Sequence, residues 1–275
     1  MLSSFFIAFR EGLEAFLIIG IIISYLVKIR EKKYVKYVIY GAVFAIALSI
    51  GLAYIFQLIL GGFEGKVEET FEGIVMILAV VVLTYMIFWM NKQAKSIKSD
   101  IEVSVEKAVY KGRVFSLLFL GFIVVFREGA ETVLFFRAIS YQVNSSELII
   151  GGTLGILSSI VLAIIFFIST RKVNLSAFFK FTGLLIMLIA GGLFSTAIHE
   201  FQEAGIMPII KDNIYDLGSI LNKDSISGGI LRSLFGYNPS PSLLETAGYI
   251  IYTLVISLLI KRFYFDRSKN ISKMK

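Results

Sequence analysis

Seven stretches of the chain are predominantly apolar for about twenty residues or more: roughly 3–27, 37–60, 71–90, 114–138, 148–169, 177–198 and 243–263. A hydrocarbon layer about 30 Å thick is crossed by roughly 20 residues of α-helix. No water inside that layer can satisfy free backbone groups, so the seven stretches predict seven membrane-spanning helices rather than open strands. The first stretch fits a cleaved leader poorly: it is too long, carries Arg10 and Glu11 in its middle, and lacks a basic start. The predicted class is therefore an all-α polytopic membrane protein.

The polar connections differ in sign. Segments 28–36, 91–113 and 170–176 and the tail beyond 260 carry nineteen Lys and Arg residues, whereas the alternate connections carry only Lys66, Lys211, Lys223 and Arg232. Basic residues stay in the cytoplasm, so the N-terminus is expected outside and the C-terminal tail (264–275) inside, as an odd number of spans requires. The connector 91–113 reads as a helical, solvated basic stretch at the cytoplasmic surface. Eleven carboxylates fall on the outer side, including Glu64, Glu68, Glu69, Glu72, Glu200, Glu203 and Glu245, so that face is acidic and attracts cations.

Composition adds exclusions. With 57% hydrophobic residues and 17% charged, the chain of 275 residues departs from soluble domains, which carry about 25% charged residues. Its mean hydropathy is +0.81. The net charge of +7 is accounted for by the cytoplasmic bases, so it implies no nucleic-acid partner. The absence of cysteine removes thiolate zinc, iron–sulfur and thiol chemistry, and the single histidine, His199, removes multi-histidine metal centres.

One sequence occurs twice. Phe9-Arg10-Glu11-Gly12-Leu13-Glu14 returns 117 positions later as Phe126-Arg127-Glu128-Gly129-Ala130-Glu131, and Phe71-Glu72-Gly73 is echoed weakly by Phe181-Thr182-Gly183. Spans 1–3 (residues 1–90) and 4–6 (residues 114–198) then form two three-helix repeats. Three is odd, so the second repeat is inverted relative to the first, an arrangement of secondary transporters with a site near the midplane. Residues 199–242 form an outer loop and 243–263 a seventh helix.

Each motif places three charges where one costs about 2.5–3.5 kcal/mol or more. The arginine and second glutamate of each are four apart, a spacing that allows an ion pair along one helix face. Gly12 and Gly129 leave room for a close neighbour. Two arginines and four glutamates sum to −2, which protons or a metal cation must neutralise. Salt bridges that merely hold helices together would not need this excess. Carboxylate oxygens suit magnesium, calcium, manganese and oxidised iron, and argue against copper(I). A membrane-embedded carboxylate diiron oxidoreductase is a second reading, weakened because neither motif has the Glu-x-x-His pattern of such centres.

Two intramembrane Arg-Glu-Gly-x-Glu motifs resemble those of the oxidase-dependent iron permease family. The resemblance extends over Phe71-Glu72-Gly73-Ile74-Val75, over 83–90, over His199-Glu200-Phe201-Gln202-Glu203-Ala204-Gly205, and over Phe235-Gly236-Tyr237. It implies a non-enzymatic permease that imports ferrous or ferric iron across the plasma membrane, with iron as substrate and no permanently bound cofactor. It implies Glu11, Glu14, Glu128 and Glu131 as metal ligands, with Arg10 and Arg127 balancing their charge. Outer metal-collecting groups would be Glu64, Glu68, Glu69 and Glu72, and His199, Glu200 and Glu203, where His199 reads more readily as a local hydrogen-bonder than as a ligand. The implied partner is an extracytoplasmic oxidase, a cupredoxin-like protein or a haem peroxidase. Family relatives assigned to lead uptake leave lead or manganese as alternative cargo.

Overall fold

A computed structural model describes residues 1–60, 62–93, 97–110, 114–168, 175–216 and 226–273. Lys95, Lys111, Arg113, Arg171, Lys172, Lys223 and Lys275, seven of the bases used to orient the chain, lie outside the described residues, as does Asp224. The described residues form α1 (Leu2–Lys28), a 3-10 turn (Lys32–Tyr34), α2 (Val35–Leu60), α3 (Lys66–Gln93), α4 (Ile97–Tyr110), α5 (Val114–Ser140), α6 (Ser145–Ile168), α7 (Leu175–Glu203), α8 (Ile226–Phe235) and α9 (Leu243–Lys273). Each apolar stretch predicted from sequence falls within one helix, except that 148–169 runs one residue past α6, to a position outside the described residues.

Among the described residues, five helical segments are long and apolar enough to cross a membrane: 32–59, 66–89, 145–168, 180–203 and 243–262. The chain is thus an integral membrane protein. The two remaining long helices, α1 and α5, have 27 residues each and are long enough. They fall short in apolarity because they carry the charged motifs, which is where polarity serves a purpose other than insertion.

The chain divides into two compact units. The first comprises 1–63 and 91–182, that is α1, α2, α4, α5, α6 and the first turns of α7. Here α1 packs along α6 and α5 along α2. The basic connector is docked on one face: α4 buries Val105 and Ala108 in a cluster with Ile22, Leu26, Val38 and Leu117. Removing such apolar area from water or headgroups contributes roughly 25 cal/mol per Å2.

The second unit comprises 64–90 and 183–275, that is α3, most of α7, α8 and α9. Its core includes Met76, Leu83, Ile189 and Leu193. Thr84 and Tyr252 share a 2.7 Å hydrogen bond between α3 and α9. Gly192 lies against the backbone of Phe235 and Gly236, and Gly191 against Tyr249 and Thr253, contacts that a side chain at either position would obstruct. Residue Gly205 closes α7 with φ of 76°, while Ile206 N–H donates to Phe201 O and Gly205 N–H to Gln202 O. That termination is a Schellman motif, and it keeps His199, Glu200 and Glu203 on the last helical turn rather than in a loop.

Candidate metal-ion path

The two motifs meet within the first unit. Arg10 Nε is 3.1 Å from Glu14 Oε1, and Arg127 Nε is 3.5 Å from Glu131 Oε1, so both four-residue spacings form ion pairs. Arg10 Nη1 also approaches Glu11 Oε1 at 3.4 Å, and Arg127 Nη2 reaches Glu128 Oε1 at 2.8 Å. Arg127 Nη2 is 4.0 Å from Glu14 Oε2, which links the second motif to the first.

Three of the four candidate ligands converge. Glu11, Glu128 and Glu131 each offer a carboxylate oxygen, all within 4.8 Å of one another. No hydrogen-bond donor reaches Glu11 Oε2, Glu128 Oε2 or Glu131 Oε2. Buried anionic oxygens without donors are costly, and a proton or a cation can offset them. Glu14 is not among these three: its Oε1 lies 3.1 Å from Arg10 Nε and its Oε2 4.0 Å from Arg127 Nη2, although its Oε1 too has no hydrogen bond.

The motif helices are brought together by small residues. A Cβ on Gly12 would meet Ser159 Oγ of α6, and one on Gly129 would meet Ser49 Oγ of α2. The serines are turned back onto their own helices, Ser49 Oγ donating to Ala45 O at 2.9 Å and Ser159 Oγ to Ile156 O at 2.7 Å. Met1 O and Leu118 O, again 117 positions apart, lie against Gly151 and Gly41 respectively, which are 110 apart, as are Ser49 and Ser159. A cavity of about 470 Å3 opens between these four helices, with Glu11 and Glu128 in its wall. The two motifs differ in exposure. Arg10 and Glu14 side chains are 3% and 4% exposed, whereas Arg127 and Glu131 are 40% and 19% exposed.

The groups that the sequence reading expects on the outer side lie in the second unit. Glu68, Glu69 and Glu72 sit on the first turns of α3, which begins at Lys66 rather than near 71, and Glu64 precedes it. Glu64 and Glu68 are exposed, while Glu69 is partly buried with no donor to its Oε2. At the end of α7, His199 Nε2 is 3.2 Å from Glu203 Oε1 and Nδ1 is 3.2 Å from Glu245 Oε1. Glu200 on the same turn feels the charges of His199, Glu203, Glu69 and Glu245. Glu245 is the residue that sequence reasoning assigned to the outer surface without a role, although Ser242-x-x-Glu245 before an apolar run carries the signature of a capping box.

The chain matches the model of the iron permease FTR1 family over residues 1–269. It is 36% identical over 256 residues to the ferrous iron permease EfeU of Escherichia coli O6:H1, covering 92% of this chain and 93% of the relative. To the ferrous iron permease EfeU of Yersinia pestis it is 36% identical over 261 residues, with 94% and 93% covered. No solved structure matches it significantly.

Proposed function

The chain belongs to the iron permease FTR1 family, and from that premise we propose that it imports iron across the plasma membrane through the glutamates of its two Arg-Glu-Gly-x-Glu motifs. It is a transporter rather than an enzyme. The observation that carries the site is the convergence of Glu11, Glu128 and Glu131 oxygens within 4.8 Å, with donor-free atoms on each. Hard oxygen ligands suit oxidised iron, and the uptake test below compares both valences. An arriving cation takes over the neutralisation that Arg127 gives to Glu128 and Glu131, and Glu14 receives the freed guanidinium.

The transport reading includes seven spans, an outer N-terminus, a cytoplasmic C-terminus and two inverted repeats. Support for the repeats comes from the reciprocal packing of Gly12 on Ser159 and Gly129 on Ser49, in which each motif helix lies against the second helix of the other repeat. The unequal exposure of the motifs is what alternating access gives when one side is open. An extracytoplasmic oxidase, cupredoxin-like protein or haem peroxidase would present the iron, and Glu64, Glu68, Glu69, Glu72, His199, Glu200 and Glu203 would gather it.

The direct test is radiolabelled-iron uptake into vesicles containing this protein alone, comparing both valences and both directions of proton gradient. Iron accumulation above protein-free vesicles supports the proposal, and accumulation indistinguishable from them overturns it. A second measurement uses the cysteine-free background. Glu131→Cys is expected to react with a water-soluble maleimide faster than Glu14→Cys, following their exposures of 19% and 4%. Equal or reversed rates would remove the one-sided opening.

A further inference from the structure

The chain's single histidine is held between two carboxylates of different character. Glu203, at 3.2 Å from Nε2, has a side chain 54% exposed. Glu245, at 3.2 Å from Nδ1, has one only 4% exposed. Glu245 cannot turn away from the ring without loss. Its Oε2 accepts from Asn238 Nδ2 at 3.0 Å and its Oε1 from Ser242 N–H at 3.1 Å, while its own N–H donates to Ser242 Oγ at 3.3 Å. Ser242 Oγ in turn donates to Gln202 Oε1 at 2.8 Å, tying the start of α9 to the last turn of α7.

Both ring nitrogens lie 3.2 Å from a carboxylate oxygen. The buried, locked Glu245 behind Nδ1 fixes the ring's orientation, and when a metal takes Nε2 on the exposed side, beside the Glu203 carboxylate, the remaining proton sits on Nδ1 and faces Glu245. Two ligands about 2.1 Å from one metal ion at a right angle are roughly 3 Å apart, and Nε2 and Glu203 Oε1 are 3.2 Å apart. An imidazole with a carboxylate favours a divalent first-row transition ion over magnesium or calcium. The trio in the first unit, by contrast, is all oxygen.

We propose that His199 Nε2 and Glu203 form an outer divalent transition-metal site and that Glu245 is its positioning residue. The inference rests on the permease reading, in which His199 and Glu203 collect iron, and adds the group that prepares the histidine for that task.

Histidine-selective nitrogen-15 labelling of the purified full chain gives one imidazole to observe, with manganese(II) as the probe. In the wild type the expected tautomer is Nδ1–H, and manganese broadens the ring signals at low concentration. Glu245→Gln keeps a capping-box residue and the start of α9. It is expected to mix the tautomers and to raise the manganese requirement about ten- to a hundredfold, the usual cost of losing a partner behind a metal-bound histidine. Glu203→Gln is expected to weaken manganese binding with the tautomer intact. In vesicle uptake, Glu245→Gln is expected to raise the half-saturating iron concentration more than it lowers the maximal rate. An unchanged tautomer and manganese requirement, or a fall in maximal rate alone, would overturn the proposal. If wild-type vesicles take up no iron, the permease reading fails, while the tautomer and manganese measurements still decide whether this site exists.

Discussion

Glu11→Gln, Glu128→Gln and Glu131→Gln each lower iron uptake by about a hundredfold or more, at or beyond the upper end of what even outer partners of metal ligands cost, while the protein still reaches the membrane. Glutamine is nearly isosteric, so the packing of α1 and α5 is retained. What each variant removes is one anionic oxygen from a trio whose atoms lie within 4.8 Å. Glu14→Gln behaves differently. Glu14 pairs with Arg10, whose side chain is 3% exposed, and faces Arg127 as well. Removing one partner of a buried ion pair costs about 3–5 kcal/mol, because the other charge stays behind uncompensated. Glu11→Gln removes a partner of Arg10 as well, but at 3.4 Å against 3.1 Å for Glu14, so Glu14→Gln loses uptake and lowers the amount of protein in the membrane more than Glu11→Gln does. The measurement is labelled-iron uptake normalised to membrane protein. Near-normal normalised uptake in Glu11→Gln or Glu131→Gln would remove the carboxylate path.

Sequence showed the helices well because each is governed by one local term, the transfer of about twenty residues into hydrocarbon. Its limits lie where tertiary contacts decide. Helix α7 runs past 198 to Glu203 because Gly205 provides a left-handed stop, which moves His199 onto helix. Helix α8, inside the stretch read as an outer loop, contains the Gly228–Gly229 pair and has no apolar run long enough to announce it. The connector 91–113 read as solvated, yet Val105 and Ala108 are buried, an amphipathic face visible only once its partner is known. The faint echo between Gly73 and Gly183 has no counterpart in packing, since Gly73 lies against Phe201 and Gly183 faces open space.

The candidate site was legible for a different reason. Charges inside an apolar helix have few structural uses, so the motif residues stood out one by one. Their grouping did not. Spacing along a helix paired Arg10 with Glu14 and Arg127 with Glu131, but the division of labour between a converging trio and an arginine-bound Glu14 depends on how α1 and α5 face each other. Glu245 was hidden for the same reason. Its distance from His199 in sequence is 46 residues, and only the fold closes it.

Gly12→Ala and Gly129→Ala each destabilise the protein by about 1–3 kcal/mol, the cost of forcing extra atoms into a filled interface, and each can be rescued by one particular serine. The added methyl at residue 12 meets Ser159, and at residue 129 it meets Ser49. Neither serine can easily rotate away, since its hydroxyl is bound to Ile156 O or Ala45 O and both residues are largely buried. Removing the obstructing side chain should restore the fit. Gly12→Ala with Ser159→Gly regains thermal stability and uptake, and so does Gly129→Ala with Ser49→Gly. The crossed combinations, Gly12→Ala with Ser49→Gly and Gly129→Ala with Ser159→Gly, stay as impaired as the sum of their single changes, because the two contacts share no atoms. Thermal unfolding in detergent and vesicle uptake read the outcome. Rescue in crossed pairs, or none in matched pairs, would mean that α1 does not ride on α6 and α5 on α2. Matched rescue at both interfaces, with equal size, would show that the two motif helices are seated by one interaction used twice, which is what an inverted repeat requires of a site built from both of its copies.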